Sequence, residues 1–134
     1  MSYTFGKKSH RELCTTDARL QDIAHKVLRI KDHSIIQGHR NHADQIIAYR
    51  DGFSKVQWPN GKHNGLPSKA MDVQTYPRPQ KPSELREEQF YLLGLYRGVA
   101  HEMGLEVRTG ADWDNDGEVS DNGWDDLFHV ELRL

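Results

Sequence analysis

Apolar positions recur along this chain with two different periods, and the switches between them divide it into elements. Leu20, Ile23, Ala24, Val27 and Leu28 follow the i, i+3, i+4, i+7, i+8 spacing of one helical face, and Thr15-Thr16-Asp17 ahead of them supplies a helix start. Ser34-Ile35-Ile36-Gln37 reads as a short strand closed by Gly38. A second helix is predicted over about 41–50, with Ala43, Ile46 and Ile47 facing inward and Gly52 as its stop. Residues 54–67, rich in Gly, Pro, Asn and Lys, show neither period and read as a loop. Ala70-Met71-Asp72-Val73 reads as a strand, followed by a Pro-rich turn through Pro82.

Ser83 is predicted to cap a long third helix, with Glu84, Glu87 and Glu88 near its positive end. Leu85, Leu92, Tyr96, Val99 and Met103 form its expected buried stripe, and Gly104 its end. Residues 106–109 suggest another strand, and 110–123 an Asp/Gly/Asn-rich loop. The last run, 128–134, alternates: Phe128, Val130, Leu132 and Leu134 on one face, His129, Glu131 and Arg133 on the other. Helices come first, then strands mixed with helices. That order predicts an α+β fold with a small, mainly antiparallel sheet and helices packed on one face.

Length and charge narrow the function. A chain of 134 residues suits one domain spanning 1–134, large enough to bury a core without a disulfide or structural metal. A net charge of −2 argues against a strongly basic nucleic-acid binder, and no nucleic-acid partner is expected. The single cysteine, Cys14, permits no internal disulfide and fits a reducing compartment; it is expected to serve packing. No apolar run approaches membrane-spanning length, and residues 1–13 lack the apolar region of a signal peptide. No stable membrane association is expected, and a monomer is the default.

The candidate chemistry lies in residues far apart in sequence. His63, Asp72 and His129 offer two imidazoles and a carboxylate, the ligand set of a hydrolytic zinc site with an open fourth position. Such a metal lowers the pKa of water, and a nearby carboxylate takes the proton and later returns one to the leaving amine. Asp126, three residues before His129, is the candidate base, provided that a turn or bulge at the start of the strand brings both into one cavity. If these groups converge, the protein is a metallopeptidase or amidase. Spacing alone does not single them out, because the chain has eight histidines and no ligand pair as tight as His-Glu-x-x-His. His39, His42 and His101 read as surface residues.

Asp112-Trp113-Asp114-Asn115-Asp116-Gly117 matches the first half of a calcium loop, making Asp112, Asp114 and Asp116 candidate oxygen ligands. The second half departs: Gly123 stands where a bidentate Glu belongs, with Asp121, Asp125 or Glu118 as substitutes. The alternative is a solvated acidic loop held by Asx turns. A cation here would order the strand that carries Asp126 and His129. Trp58, Trp113 and Trp124 fall in loops, where they suit either lining a groove or stapling loops to the core.

Four segments carry a family resemblance. Lys62-His63-Asn64, Pro67-Ser68, Ala70 and Asp72 resemble the first zinc motif of the D-alanyl-D-alanine carboxypeptidase-like (hedgehog-type) zinc peptidases. Asp126-Leu127-Phe128-His129-Val130-Glu131-Leu132 resembles the closing motif D-x-x-H-F-E-L of their small phage endolysin branch, the L-alanyl-D-glutamate peptidases. Gly38-His39-Arg40 with Gln45 and Gly52-Phe53-Ser54 is similar to that branch's G-x-R…Q…G-x-S segment, and Gly110-Ala111-Asp112-Trp113-Asp114 to its G-x-D-W-D segment. The four run in order from about Leu13 to Leu134. Val130 replaces the usual Phe, and Gly61 stands where Ser often precedes the Lys-His pair.

The resemblance implies zinc on His63, Asp72 and His129, zinc-bound water as nucleophile, Asp126 as base, and Arg40 polarising the carbonyl or holding a substrate carboxylate. Gln45 and Trp113 become candidate substrate contacts, with a structural role open for Gln45. The implied substrate is the peptidoglycan stem peptide, cut between L-alanine and D-glutamate for host cell lysis. The protein would wait in the host cytoplasm until a holin opens the inner membrane. The same ligand set also serves a D-alanyl-D-alanine carboxypeptidase or dipeptidase, and a non-catalytic wall-binding relative is the third reading.

Overall fold

The computed structural model describes residues 2–119 and 124–134. In chain order its elements are α1 (Lys7–Leu13), α2 (Ala18–Leu28), β1 (His33–Gln37), α3 (His42–Arg50), a 3₁₀ turn (Lys62–Asn64), β2 (Ala70–Thr75), α4 (Pro82–Glu102), β3 (Val107–Gly110) and β4 (Asp126–Leu132). The strands form one antiparallel sheet in the order β1-β2-β4-β3. α4 packs across β2, β4 and β3, α2 packs on α4, and α1 lies against β1. This is the expected α+β architecture.

α2 follows its periodicity closely. Asp17 caps it by accepting from the Arg19 N–H at 2.9 Å, and all five periodic apolar residues are buried. Leu20, Ile23, Ala24 and Val27 join Ile35, Met71, Val73, Leu92, Tyr96, Val130 and Leu132 in a continuous core. Each Val, Leu, Ile or Met side chain among them contributes about 1.5–3 kcal/mol when fully buried. Gly52 and Gly104, both at positive φ, end α3 and α4 as expected.

Elsewhere the structure corrects the periodicity. α1 carries almost no apolar pattern and is held by specific contacts: Leu13 enters the core, and the buried Ser9 hydroxyl accepts from the Ile35 N–H at 3.0 Å. Cys14, expected to pack, is exposed at the end of α1. In α3 the inward residues are Gln45 and Ala48; Ile46 and Ile47 are 52% and 46% exposed. This helix is anchored by a buried amide rather than an apolar stripe. α4 begins with Pro82 at its first turn and Lys81 as its cap, so Ser83 lies inside it. Its buried line is Gln89, Leu92, Leu93, Tyr96 and Ala100, while Leu85, Val99 and Met103 sit half-buried on the flank. Gln89 belongs there because sheet backbone groups need partners: its carbonyl accepts from Thr75 N–H, and its amide donates to Val73 and Leu127 carbonyls. β4 starts at Asp126 and ends at Leu132, leaving Leu134 77% exposed. Both faces of its last four residues are buried, since α4 covers one and the candidate site occupies the other.

His33 shows how the core handles a titratable group. Its Nδ1 lies 2.9 Å from the Lys31 carbonyl, which only accepts, so Nδ1 carries the proton and Nε2 accepts from the Tyr96 hydroxyl at 2.6 Å. Burial pushes its pKa down from 6.5 to about 4. The unfolded chain therefore binds a proton that the folded chain does not, and stability is full above pH 6.5 and drains as pH falls towards 4. The expected loss is roughly 3 kcal/mol. Melting temperature followed across that window should fall steeply in the wild type and more gently in His33→Gln; equal slopes would contradict the assignment.

Candidate metal centre

Two separate devices deliver the three candidate ligands. The 3₁₀ turn presents His63 and is tied to the β1–α3 connection. The Arg40 N–H donates to the His63 carbonyl at 2.7 Å, and the Asn64 amide donates to the Arg40 carbonyl at 3.1 Å. The His63 Nδ1–H donates to the Gly38 carbonyl at 2.8 Å. Gly38 must be glycine, because a Cβ there would lie 2.4 Å from the Glu12 carbonyl oxygen. Asp72 and His129 are delivered by register: they stand directly opposite on β2 and β4, so their side chains share a face.

The donor atoms converge. His63 Nε2 lies 3.3 Å from Asp72 Oδ1, and His129 Nδ1 lies 3.8 Å from the same oxygen. All three fall within 4.8 Å of one another. With Nδ1 committed to Gly38, His63 turns a bare lone pair towards the carboxylate. Both His63 Nε2 and Asp72 Oδ1 are buried without a hydrogen-bond partner among the described residues. Two buried acceptors facing each other are costly unless a cation lies between them, so the cluster could hold a metal ion.

Glu131 completes the centre and was not singled out from sequence. Its Oε1 accepts from His129 Nε2 at 2.8 Å, and its Oε2 accepts from Arg108 Nη2 at 3.1 Å. The available signal was the alternation of β4, which places residues two apart on one face. Burial works against a charged His129 ring, but the Asp72 and Glu131 carboxylates outweigh it and hold its pKa up at about 9. Asp72 is likewise opposed by burial, yet the flanking imidazoles keep its carboxyl far below the usual range.

Asp126 reaches the same cavity as His129 through the expected bulge. Thr109 pairs with Val130, but the next residue, Gly110, pairs with Asp126, so residues 127–129 are looped out of register. Without that slip, residues three apart would face opposite ways. A Cβ on Gly110 would fall 1.8 Å from the Asp126 carbonyl oxygen, so glycine is required. Burial, and then the Asp72 charge, raise the Asp126 pKa above the ordinary value.

Arg40 is buried, with Nε donating to Gln37 Oε1 at 3.0 Å, Nη1 donating to Gln45 Oε1 at 3.1 Å, and Nη2 lying 3.7 Å from Asp72 Oδ2. Gln45 is fully buried. It accepts from Arg40 and Asn64 and donates to the Ser54 hydroxyl and the Val56 carbonyl, which uses its whole amide. Trp113 stacks on Trp124 at 5.5 Å, donates its indole N–H to the Trp124 carbonyl, and lies 5.3 Å from the His129 ring. It thus walls the centre and staples the acidic loop to β4. Trp58 lies against His42, and His39 Nδ1 is 2.8 Å from the Gly65 carbonyl, away from the cluster.

Carboxylate oxygens of Asp112, Asp114 and Asp116 also converge within 4.8 Å. Asp112 is ion-paired with Arg97 and accepts from the Gly117 N–H, while Asp116 accepts from the Glu118 N–H at 2.8 Å. The Asp116–Glu118 contact is an Asx turn of the kind the alternative reading of this loop expects. Asp121 and Gly123 lie outside the described residues, and Asp125 is 3.8 Å from Arg86.

Two cavities of about 850 and 470 Å³ flank the centre and share Arg40, Phe53, Trp124 and Asp126. No helix among the described residues is long and apolar enough to cross a membrane.

Comparison with known proteins identifies the family. Residues 1–133 match the family model for phage L-alanyl-D-glutamate peptidase. The L-alanyl-D-glutamate peptidase of Escherichia phage T5 is 30% identical, over 98% of this chain and 99% of that protein. The crystal structure of the Serratia marcescens L-Ala D-Glu endopeptidase ChiX superposes with a TM-score of 0.73 at 20% identity, over 97% of this chain and 90% of that one. The chain is a member of the phage L-alanyl-D-glutamate peptidase family.

Proposed function

We propose that this protein is a zinc-dependent peptidoglycan endopeptidase that hydrolyses the L-alanyl–D-glutamate bond of the stem peptide. The observation that carries this reading is the meeting of His63 Nε2, Asp72 Oδ1 and His129 Nδ1 beside Asp126, in a member of this family. A set of two nitrogens and one oxygen suits zinc. Zinc held by these residues supplies Lewis acidity, lowering the pKa of water and polarising a carbonyl. Asp126 takes a proton from the attacking water and returns one to the departing glutamate nitrogen, so the C–N bond gives a carboxylate and an amine. Arg40, fixed in direction by Gln37 and Gln45, turns its remaining nitrogen to the centre and stabilises the developing oxyanion. Gln45 acts by positioning Arg40, and Trp113 by walling the cleft. The unit acts as a monomer over residues 1–134, is stored in the host cytoplasm and reaches the wall after a holin opens the membrane.

Labelling newly freed amino groups after digestion of purified peptidoglycan tests the bond. Labelled glutamate is expected. Release of free D-alanine would assign the carboxypeptidase reading, and no new amine would leave the wall-binding reading.

Glu131 is proposed to set the His129 tautomer, so that Nε2–H points to the carboxylate and Nδ1 is free for the metal. Glu131→Gln should weaken zinc binding by about 10–100-fold in a chelator competition. Unchanged affinity would remove Glu131 from the centre. The acidic loop is proposed as a calcium-type oxygen site in which Arg97 competes for Asp112. Calcium should raise the melting temperature in metal-defined buffer; no change in stability or activity would overturn the assignment.

A further inference from the structure

The two cavities that meet at Asp126 differ in charge. The smaller contains Lys55, Lys62 and Arg108. Apart from Asp126, its one carboxylate is Glu131, already shared between His129 and Arg108. Arg108 is committed to Glu131 and lies 5.4 Å from the Trp113 ring. Lys55 and Lys62 are exposed, and neither is within ion-pair distance of a carboxylate among the described residues. Lys55 Nζ sits 4.7 Å over the Trp124 ring, which holds its ammonium at the cavity edge. The larger cavity sets Arg78 and Arg86, with the shared Arg40, against the more numerous carboxylates of Asp44, Asp51, Asp72, Asp125 and the shared Asp126, with Arg86 facing Asp125 at 3.8 Å. Its walls include Ile36, Ile47 and Phe128, which accounts for two exposed isoleucines.

The substrate is asymmetric in the same sense. A glutamyl residue acylated on its nitrogen has two carboxyl groups, and a chain that continues from one leaves the other free. The anion therefore lies on the leaving-group side of the scissile bond, whereas the alanyl side is uncharged. We propose that the smaller cavity is the leaving-group subsite, where Lys62 and Lys55 bind the free carboxylate of D-glutamate, and that the larger cavity, whose carboxylates outnumber its cations and disfavour an anion, takes the alanyl side. This assignment rests on the peptidase reading above and orients the substrate within it. Exposed ammonium groups bind a carboxylate as point charges, so the contact is modest and sensitive to salt.

Two stem-peptide substrates that differ only in a free D-glutamate carboxylate or its carboxamide test the assignment. The wild type should prefer the acid by about tenfold in kcat/KM, carried mainly by KM. A K55M/K62M double variant should lose that preference, K55R/K62R should keep it, and R78M in the other cavity should keep it. Equal cleavage of acid and amide by the wild type would overturn the subsite, as would a preference that survives in K55M/K62M or collapses in R78M. Cleavage of neither substrate by the zinc-loaded wild type would instead overturn the peptidase reading on which it rests. Both lysines are exposed, so melting temperatures of the variants should match the wild type.

Discussion

Asp126→Asn is expected to lower kcat by about 10²–10⁴-fold while leaving the fold and the zinc affinity nearly intact. The substitution is isosteric and keeps an oxygen for the Phe128 N–H, which Asp126 Oδ1 accepts at 3.1 Å. What it removes is proton transfer. The same change should not destabilise the protein. Burial and the Asp72 charge raise the folded pKa of Asp126 above its unfolded value, so the ionised carboxylate is a net cost at neutral pH. That cost disappears as pH falls below the ordinary carboxylate value. Asn removes it at neutral pH, and the melting temperature should stay level or rise. A loss of activity paired with a gain in stability separates a catalytic group from a structural one. Near-normal turnover in Asp126→Asn would mean that the base lies elsewhere.

Asp72→Asn is expected to abolish activity and to reduce metal affinity by more than the roughly 10–100-fold assigned to Glu131. Asp72 is where the two imidazoles and the Arg40 guanidinium all point. In the metal-free protein its loss removes the carboxylate beside the Arg40 guanidinium and one of the two carboxylates that hold a charged His129, leaving Glu131 alone on that ring, so the apoprotein should also be less stable. The sign follows from its depressed pKa: the stabilisation is present above the unfolded value of 3.8 and is lost as pH falls below it. The stability gap between wild type and variant should therefore close in acid. Calorimetry of metal-free samples across that range checks the sign, and a zinc titration of the same samples checks the affinity. Retention of tight zinc binding by Asp72→Asn would exclude it as a ligand.

The candidate site was more legible in the sequence than the geometry that assembles it. His63, Asp72, His129 and Asp126 stood out once their motifs were read in order, because residue type and order survive in a one-dimensional string. Two features that make them a centre do not. Pairing Asp72 with His129 is a matter of strand register, set by core residues such as Met71 and Val130 that say nothing about metal chemistry. Bringing Asp126 into the cavity depends on the register slip at Gly110, where a single glycine is the only trace. Apolar periodicity succeeded for α2, whose whole stripe is core, and failed for α3. α3 is held by the Gln45 amide, and of its two isoleucines Ile47 lines the cleft wall while Ile46 lies exposed. Gln89 escaped notice for a similar reason: a buried amide that satisfies sheet backbone looks like a surface residue in the string. Side chains that serve backbone or other polar groups have no period to betray them.

The central claim is that the His63–Asp72–His129 cluster makes this chain a zinc endopeptidase for one bond. The most direct test is mass spectrometry of a purified tetrapeptide muropeptide incubated with zinc-loaded and chelator-stripped protein in parallel. The account predicts release of the stem peptide beginning at D-glutamate, absent after stripping and restored by zinc. Undiminished cleavage in the stripped sample, or loss of a terminal D-alanine alone, would contradict it.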